Sequence, residues 1–571
     1  MKKQIFTLLF FLFTHQIYSQ YNLDWGKLIG GRTYETAMDK DSNIYLSGNF
    51  DNVIDFDPGL GTDMKSTQGG YDFFVVKLDK NGNYKWSRTF GTGSCAPCHD
   101  EVTDIDVDSK GNVILVGAFF GPLDFDPHPV NTFIMRSGGF YTVNYMLKLD
   151  SIGDFVWAKK FQNNIFSTSD AKVKINKRDQ IIYSTSFMDS IDADPSASTL
   201  YFTTNSVGNN NSLIAKLKPS GNLIWAKQLK GGTNSIDELT LLDSNSLIIG
   251  GKFKGNVDFD IRNSMSNSIN SGTNKHSYVL KLTSDTVLQF VKEITSEITI
   301  NTIHSSFLGP IFIGGSFQSA TDFDPGASSV IKNPTTTADA FILKLSDSGR
   351  YEDVFTFGGT GIYLNQCKTI AEDTFGNLFF SGEYMSTVDF DKSANTSNHT
   401  SNGTLDIFVL KTDSNLNYLN SFSIGGNQWD MPEKIYLLDN NNLLLIGSFT
   451  STNGDLDPSS SSFPIAMPTG NVVGNFTLKL TMTNPTSKIS IVNGDEEINL
   501  FPNPTNNWIK INGVESNYEL NIYNTSGQLV LQKMNYENNS MLDISLLSDG
   551  MYSIIIKTEN NRVISKKLIK Y

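Results

Sequence analysis

Little in this 571-residue sequence is suited to redox, metal or nucleic-acid chemistry. It has three cysteines and six histidines, and Asp plus Glu outnumber Lys plus Arg by 59 to 45, a formal charge of -14. Beyond the N-terminal segment the histidines are His99, His128, His276, His304 and His399, too scattered for a multi-histidine metal centre. Phosphate binding needs clustered Lys and Arg, and none cluster here, so no nucleic-acid partner is expected. No Gly-x-Ser-x-Gly, phosphate-cradling loop or dinucleotide fingerprint occurs in a suitable context. No segment after the N-terminus is long and apolar enough to span a bilayer, so no transmembrane segment is expected in the mature chain.

Aromatic residues reach 12%, charged residues only 18%, and Asn, Ser, Thr and Gly are plentiful. That mixture suits a β-rich extracellular protein. The chain is too long for one ordinary core, so several units or a repeat architecture are expected. Residues 1–19 read as a signal peptide: Lys2 and Lys3, an apolar run over 5–13, and Ser19 before the cut. No cysteine follows the cut, which argues against a lipoprotein anchor.

A search for self-similarity exposes the main pattern. An acidic motif recurs at Asp55/Asp57, Asp124/Asp126, Asp192/Asp194, Asp258/Asp260, Asp322/Asp324, Asp389/Asp391 and Asp455/Asp457, with spacings of 69, 68, 66, 64, 67 and 66 residues. A strand ending in small residues and an aromatic precedes it, as in Gly48-Asn49-Phe50. An apolar strand closing on lysine follows it, as in Val75-Val76-Lys77-Leu78. A glycine turn then leads to a strand carrying Trp86, Trp157 or Trp225. Each period therefore holds four short strands, in the first repeat near 35–40, 44–50, 71–78 and 84–90. Four antiparallel strands repeated seven times form the blade pattern of a propeller. The seventh repeat lacks its fourth strand, and the segment around Trp25, which resembles the one around Trp225, is spare. The expected fold is an all-β, seven-bladed propeller whose N-terminal strand closes the last blade and hides a sheet edge.

These phrases resemble bacterial seven-bladed propeller repeats, in which a "GG…A…D..GN.Y..G.F" hairpin precedes an "A/D-F-V-K-L-D-x-x-G" strand. Gly30, Gly31, Ala37, Asp41, Asn43, Tyr45, Gly48 and Phe50 carry the first part, and residues 72–79 the second. Thr185 and Thr412 depart from the pattern. The resemblance implies a fold without a shared activity.

After a polar linker at 484–497 comes Asn499-Leu500-Phe501-Pro502-Asn503-Pro504, then a hairpin with Gly527, and a last strand pair with Gly550 and Tyr552. Strands broken by glycine turns predict a small Ig-like β-sandwich over 498–571. The set of motifs resembles the type A sorting domain of type IX secretion, with Pro502, Asn503, Pro504, Gly527, Gly550 and Tyr552 at the matching positions. That resemblance implies translocation by the type IX machinery and a place outside a diderm bacterium, secreted or on its outer surface. The domains expected are thus 1–19, 20–483, 484–497 and 498–571.

The long connections between the second and third strands, with the fourth-to-first connections, define one face, the expected binding face. All seven Asp-x-Asp motifs start those connections. The first reading of the paired aspartates is structural: each carboxylate caps a turn and the middle residue packs inside. Calcium coordination is the alternative, with loop carbonyls and water completing the six to eight oxygens that the ion needs. Cys95-Ala96-Pro97-Cys98-His99 has the form of a haem attachment site. Its polar flanks and single copy argue against haem and for a disulfide between Cys95 and Cys98. Cys367 is expected to be buried and unpaired. No catalytic constellation stands out. The expected function is a monomeric, exported propeller binding a glycan or protein; the alternative is a secreted polysaccharide hydrolase with carboxylates from different blades.

Overall fold

The computed structural model describes residues 20–93, 100–138, 141–162, 170–206, 208–242, 245–262, 266–361, 364–459, 461–464, 473–483, 499–503, 505–512, 518–524, 529–536, 540–548, 550–558 and 563–570. No described residue is helical, the strand ladders are antiparallel, and no sheet closes on itself. The chain forms two compact units, one spanning Gln20–Met482 and the other including Thr483–Tyr571.

Within the first unit, seven sheets follow one another along the chain. The first is Arg32–Met38, Ile44–Phe50, Asp72–Leu78 and Tyr84–Phe90, paired in that order. The seventh takes three strands from Asp430–Leu437, Asn442–Phe449 and Gly474–Thr483, and its fourth is Gln20–Gly30. Asn475 joins the two ends of the first unit: its Nδ2 donates to Gly30 O at 3.3 Å, and its Oδ1 accepts from the Thr33 amide at 2.7 Å.

The second and third strands of the first sheet are buried at every position. Both faces of each sheet are apolar, so each needs a neighbour on either side. Seven apolar clusters meet that need, and each draws on two sheets adjacent in order. One of them sets Leu444 and Ile446 of the seventh sheet against Ile44, Leu46 and Phe74 of the first. The first strands likewise touch in sequence, and that of the seventh sheet touches Arg32–Met38.

The recurring lysine and tryptophan have a physical role that links one sheet to the next. Lys77 Nζ and Trp86 Nε1 both donate to Ser151 O, at 3.1 and 3.2 Å, in the turn before the fourth strand of the second sheet. Lys148 and Trp157 do the same to Pro219 O at 3.4 and 3.3 Å. The glycine of each receiving turn lies under the indole. Gly153 has φ +86°, and a Cβ there would sit 3.0 Å from Trp86. Gly82, at φ +75°, bears the same relation to Trp25 of the N-terminal strand, at 2.7 Å.

Two expectations need correction. The first strand begins at Arg32 and ends at Met38 rather than covering 35–40. Its extra length comes from a β-bulge between Thr33 and Glu35, which period-2 reading passes over. The long connections are also not open loops. Val53–Asp55 pairs with Met64–Ser66, Pro122–Asp124 with Ile134–Arg136, and Thr387–Asp389 with Asn398–Thr400, each as a small ribbon. In the fourth sheet the ribbon continues the ladder of Leu247–Asp258 and Ser268–Leu282. The ribbons fold back on the fourth strands. Tyr84 and Ser87 hydroxyls donate to Asp63, Gln228 Nε2 donates to Thr203 O at 3.0 Å, and His399 Nε2 meets Ser421 Oγ at 2.8 Å. Polar chain that would otherwise be a floppy loop thereby shields part of the outermost strand.

In the second unit, Asn499–Phe501, Trp508–Asn512 and Met541–Asp543 form one sheet. Leu529–Tyr536, Tyr518–Asn524, Gly550–Thr558 and Val563–Lys570 form another. Ile509, Ile511 and Leu542 from the first and Leu520, Ile522, Ile554 and Leu568 from the second share one core.

The Trp25–Gly82 contact yields a stability prediction. Gly82→Ala should cost about 2 kcal/mol, from the unfavourable φ and the clash with the indole together. In a Trp25→Ala background it should cost about 1 kcal/mol less, because only the backbone strain remains. Denaturation midpoints of the four variants measure this coupling.

Candidate functional site

The aspartate pairs form one turn repeated seven times. Asp55 Oδ1 accepts from the amides of Asp57 at 3.0 Å and Asp63 at 2.8 Å, and Asp57 Oδ1 accepts from Gly59 at 2.8 Å. Asp124 holds Asp126 and Phe133; Asp192 holds Asp194 and Leu200. Asp258 holds Asp260 and Asn267; Asp322 holds Asp324 and Val330. Asp389 holds Asp391 and Ser397; Asp455 holds Asp457 and Phe463. The middle residue is buried and often aromatic, as where Phe56 packs on Phe50 and Phe74 and Phe323 on Phe317 and Phe341. One carboxylate oxygen thus closes both ends of each turn. Among the described residues no three of His, Cys, Asp and Glu come together as a metal-holding group. Cys95 and Cys98 lie outside the described residues, while Cys367 is a buried free thiol in strand Gln366–Glu372.

Sequence reasoning did not reach the polar ring made by the first strands. Six of them carry a bulge, which places Tyr34, Thr103, Asp237, Asn301, Lys368 and Glu433 out of register. A bulge re-aims a side chain that a regular strand would place elsewhere. Around it the ring is knit by charge. Lys172 Nζ lies 3.2 Å from Glu35 and 3.8 Å from Glu238, so the third sheet is tied to the first and fourth. Lys174 Nζ reaches Asp104 at 3.0 Å, and Asp104 also accepts from the Val173 amide at 2.8 Å. Burial works against the Asp104 charge, yet Lys174 and Lys172 hold its carboxyl below the usual range. Desolvation pushes Asp106 up to about 6 against the pull of Lys174 and the amides of Val107 and Ile175. Burial pushes Glu433 up to about 7 although Lys368 lies 3.6 Å away.

Beside this ring, a cavity of about 140 Å³ opens between the first and seventh sheets, lined by Arg32, Tyr34, Asn49, Asp51 and Tyr71 among others. Tyr34 and Tyr71 are 39% and 45% exposed, which leaves their rings usable by a ligand. The Arg32 guanidinium sits over the Tyr34 ring, 5.0 Å from its centroid. Asn49 Nδ2 donates to Asp100 O at 3.0 Å, whereas its buried Oδ1 has no partner. The bulge at Tyr34 builds this site, and the repeat alignment alone gave no sign of it.

In the second unit, Asn503 Oδ1 accepts from the Ile569 amide at 2.9 Å, which fixes the motif's asparagine to the last strand. Tyr552 is buried and donates its hydroxyl to Ser548 O at 2.6 Å. Pro502 is exposed and Gly550 starts its strand; Pro504 and Gly527 lie outside the described residues, as do residues 1–19. Residues 499–571 match the family model described as the secretion system C-terminal sorting domain. The chain carries a type IX sorting domain. It is accordingly a protein secreted by, or displayed on the surface of, a diderm bacterium, and the domain is its contact with the secretion machinery.

No curated protein matches the chain. Among solved structures, it is similar to the phage phi92 endosialidase at 9% identity and TM-score 0.34, over 97% of this chain and 88% of that one. A protein of unknown function from Bacteroides caccae aligns at 11% identity and TM-score 0.27, over 59% and 94%. PorZ, a surface component of the type IX secretion system of Porphyromonas gingivalis, aligns at 10% identity and TM-score 0.19, over 96% and 100%. At such TM-scores nothing about their activities carries over to this chain.

Two measurements probe these groups. Asp55→Ala should cost about 1 kcal/mol by leaving two amides uncapped, and Asp55→Asn, which keeps the acceptor, much less. A calcium-dependent rise in melting temperature that the Asn variant loses would instead assign a metal there. Lys172→Met should cost about 3 kcal/mol at pH 7, since Glu35 and Glu238 lose their counter-charge. The cost should shrink near pH 4, where the Glu238 carboxyl, held above the usual range by burial, binds a proton, as denaturation at both pH values will show.

Proposed function

We propose that residues 20–483 form a seven-bladed β-propeller closed by the N-terminal strand, exported behind a signal peptide at 1–19. In this reading residues 484–497 link it to the sorting domain, and the propeller acts outside the cell as a glycan-binding module. The architectural reading is supported by seven sheets in chain order, by seven cores between neighbours that include the seventh with the first, and by Gln20–Gly30 as the outer strand of the seventh sheet.

The binding reading is carried by the cavity between the first and seventh sheets. It brings two exposed tyrosines together with Arg32, Asn49 and Asp51. Flat aromatic faces take up the apolar face of a sugar ring, and planar polar groups take its hydroxyls. Drug-sized ligands occupy sites of about 300–1,000 Å³, so this smaller site suits a single ring.

A polysaccharide hydrolase is the second reading, and Glu433 favours it. Its carboxyl is raised to about 7 by burial and lies within electrostatic reach of Tyr34, so it is protonated often enough near neutral pH to serve as an acid. Under the binding reading, an array of mono- to hexasaccharides retains the protein, and Tyr34→Ala and Tyr71→Ala each weaken retention about thirtyfold. Retention unchanged in both variants, or no retention of the native protein, would remove that reading. Release of reducing ends that stops in Glu433→Gln would establish the hydrolase instead.

A further inference from the structure

We infer that the cavity takes one sugar ring bearing a carboxylate, and that each molecule holds one such ligand. This rests on the glycan-binding reading above and adds the chemistry of the ligand and the number of sites.

The carboxylate is argued from Arg32. Three lysines of the first strands are already committed, Lys172 to Glu35 and Glu238, Lys174 to Asp104 and Lys368 to Glu433, as is Lys252 of a neighbouring second strand to Asp237 and Glu297. Arg32 has no hydrogen bond or ion pair from its side chain to any described residue; Glu433 and Lys368 lie within electrostatic reach, and the Tyr34 ring lies against it at 5.0 Å. Its hydrogen-bond donors are therefore uncommitted. A guanidinium presents a planar fork that matches a carboxylate in two parallel bonds, a match a neutral hydroxyl cannot make. Asn49 lines the same cavity and is 91% buried, its Nδ2 given to Asp100 O and its Oδ1 closed off from solvent, so it is a fixed wall. The Asp51 carboxylate, in the same lining, accepts from a ligand hydroxyl.

The single site follows from register. Arg32 pairs with Asn49 across the first two strands of its sheet. In five of the other six sheets the corresponding pairs are Glu101 with Ala118, Ser235 with Lys252, Thr299 with Ser316, Gln366 with Glu383, and Met431 with Ser448, and the third sheet's first strand pairs only from Lys172 to Ile175. None combines a guanidinium with an amide. The fold repeats, and this site does not.

The test is calorimetric titration of the full mature chain with methyl glycosides in matched pairs: glucoside and glucuronide, galactoside and galacturonide, plus the methyl glycoside of N-acetylneuraminate. The expected result is at least one acid bound about tenfold or more tighter than its neutral partner, at one ligand per chain. Arg32→Gln should abolish that preference, Arg32→Lys should keep part of it, and Asn49→Ala should weaken acid and neutral sugars alike. Unchanged melting temperatures show that the variants are folded. Equal binding of acids and neutral sugars, or a preference that survives Arg32→Gln, overturns the carboxylate and leaves glycan binding standing. Several equivalent ligands per chain overturns the single site. No binding of any sugar removes both this inference and the reading beneath it.

Discussion

The first unit depends on one constraint: each of its sheets is apolar on both faces and cannot stand alone. The second and third strands of the first sheet have no exposed position, so burial requires a sheet on either side. Meeting that requirement seven times leaves the first and last sheets facing each other, and the cluster that joins them is of the same kind as the other six. The lysine and tryptophan that recur along the chain add direction to this packing. Lys77 with Trp86, and Lys148 with Trp157, donate to a carbonyl in the next sheet's turn, over a glycine that leaves room for the indole. A stack built this way has little freedom to shear, because the polar contacts are made at fixed points of the backbone.

The same economy governs the polar residues. Of the fourteen repeated aspartates, Asp55, Asp124 and their equivalents spend one oxygen on two backbone amides each. Charge in the ring of first strands is spent in a comparable way, on ties between sheets such as Lys172 to Glu35 and Glu238. Groups left with unspent capacity therefore stand out. Arg32 is one of them, and it shares a cavity with exposed aromatic rings. Function in a repeat scaffold is expected where the repeat is broken in this way, since residues common to all copies serve the fold.

Two features were illegible before the fold was known. The bulges in the first strands do not disturb the hydrophobic pattern enough to be seen, because one extra residue in a polar stretch moves no apolar residue off its face. The ribbons were hidden for a related reason. Three-residue pairings such as Val53–Asp55 with Met64–Ser66 carry no periodicity of their own, and they form because the Asp55 turn brings their ends together and Tyr84 and Ser87 hold Asp63.

The repeat period, the four-strand content of each period, the hairpin turns and the sorting motif were all written locally. Spacing, alternation and turn chemistry involve residues close in sequence, and a single chain displays them directly. The tertiary structure alone decided which side chains meet across sheets: Lys172 with Glu35, Trp25 with Gly82, and Arg32 with Tyr34 beside Asn49. Those meetings depend on the bulge and on the order of packed sheets, over separations at which local pattern carries no information. The address of the protein was thus readable in its residues, whereas the cavity beside Arg32 and Tyr34 existed only once the sheets had packed.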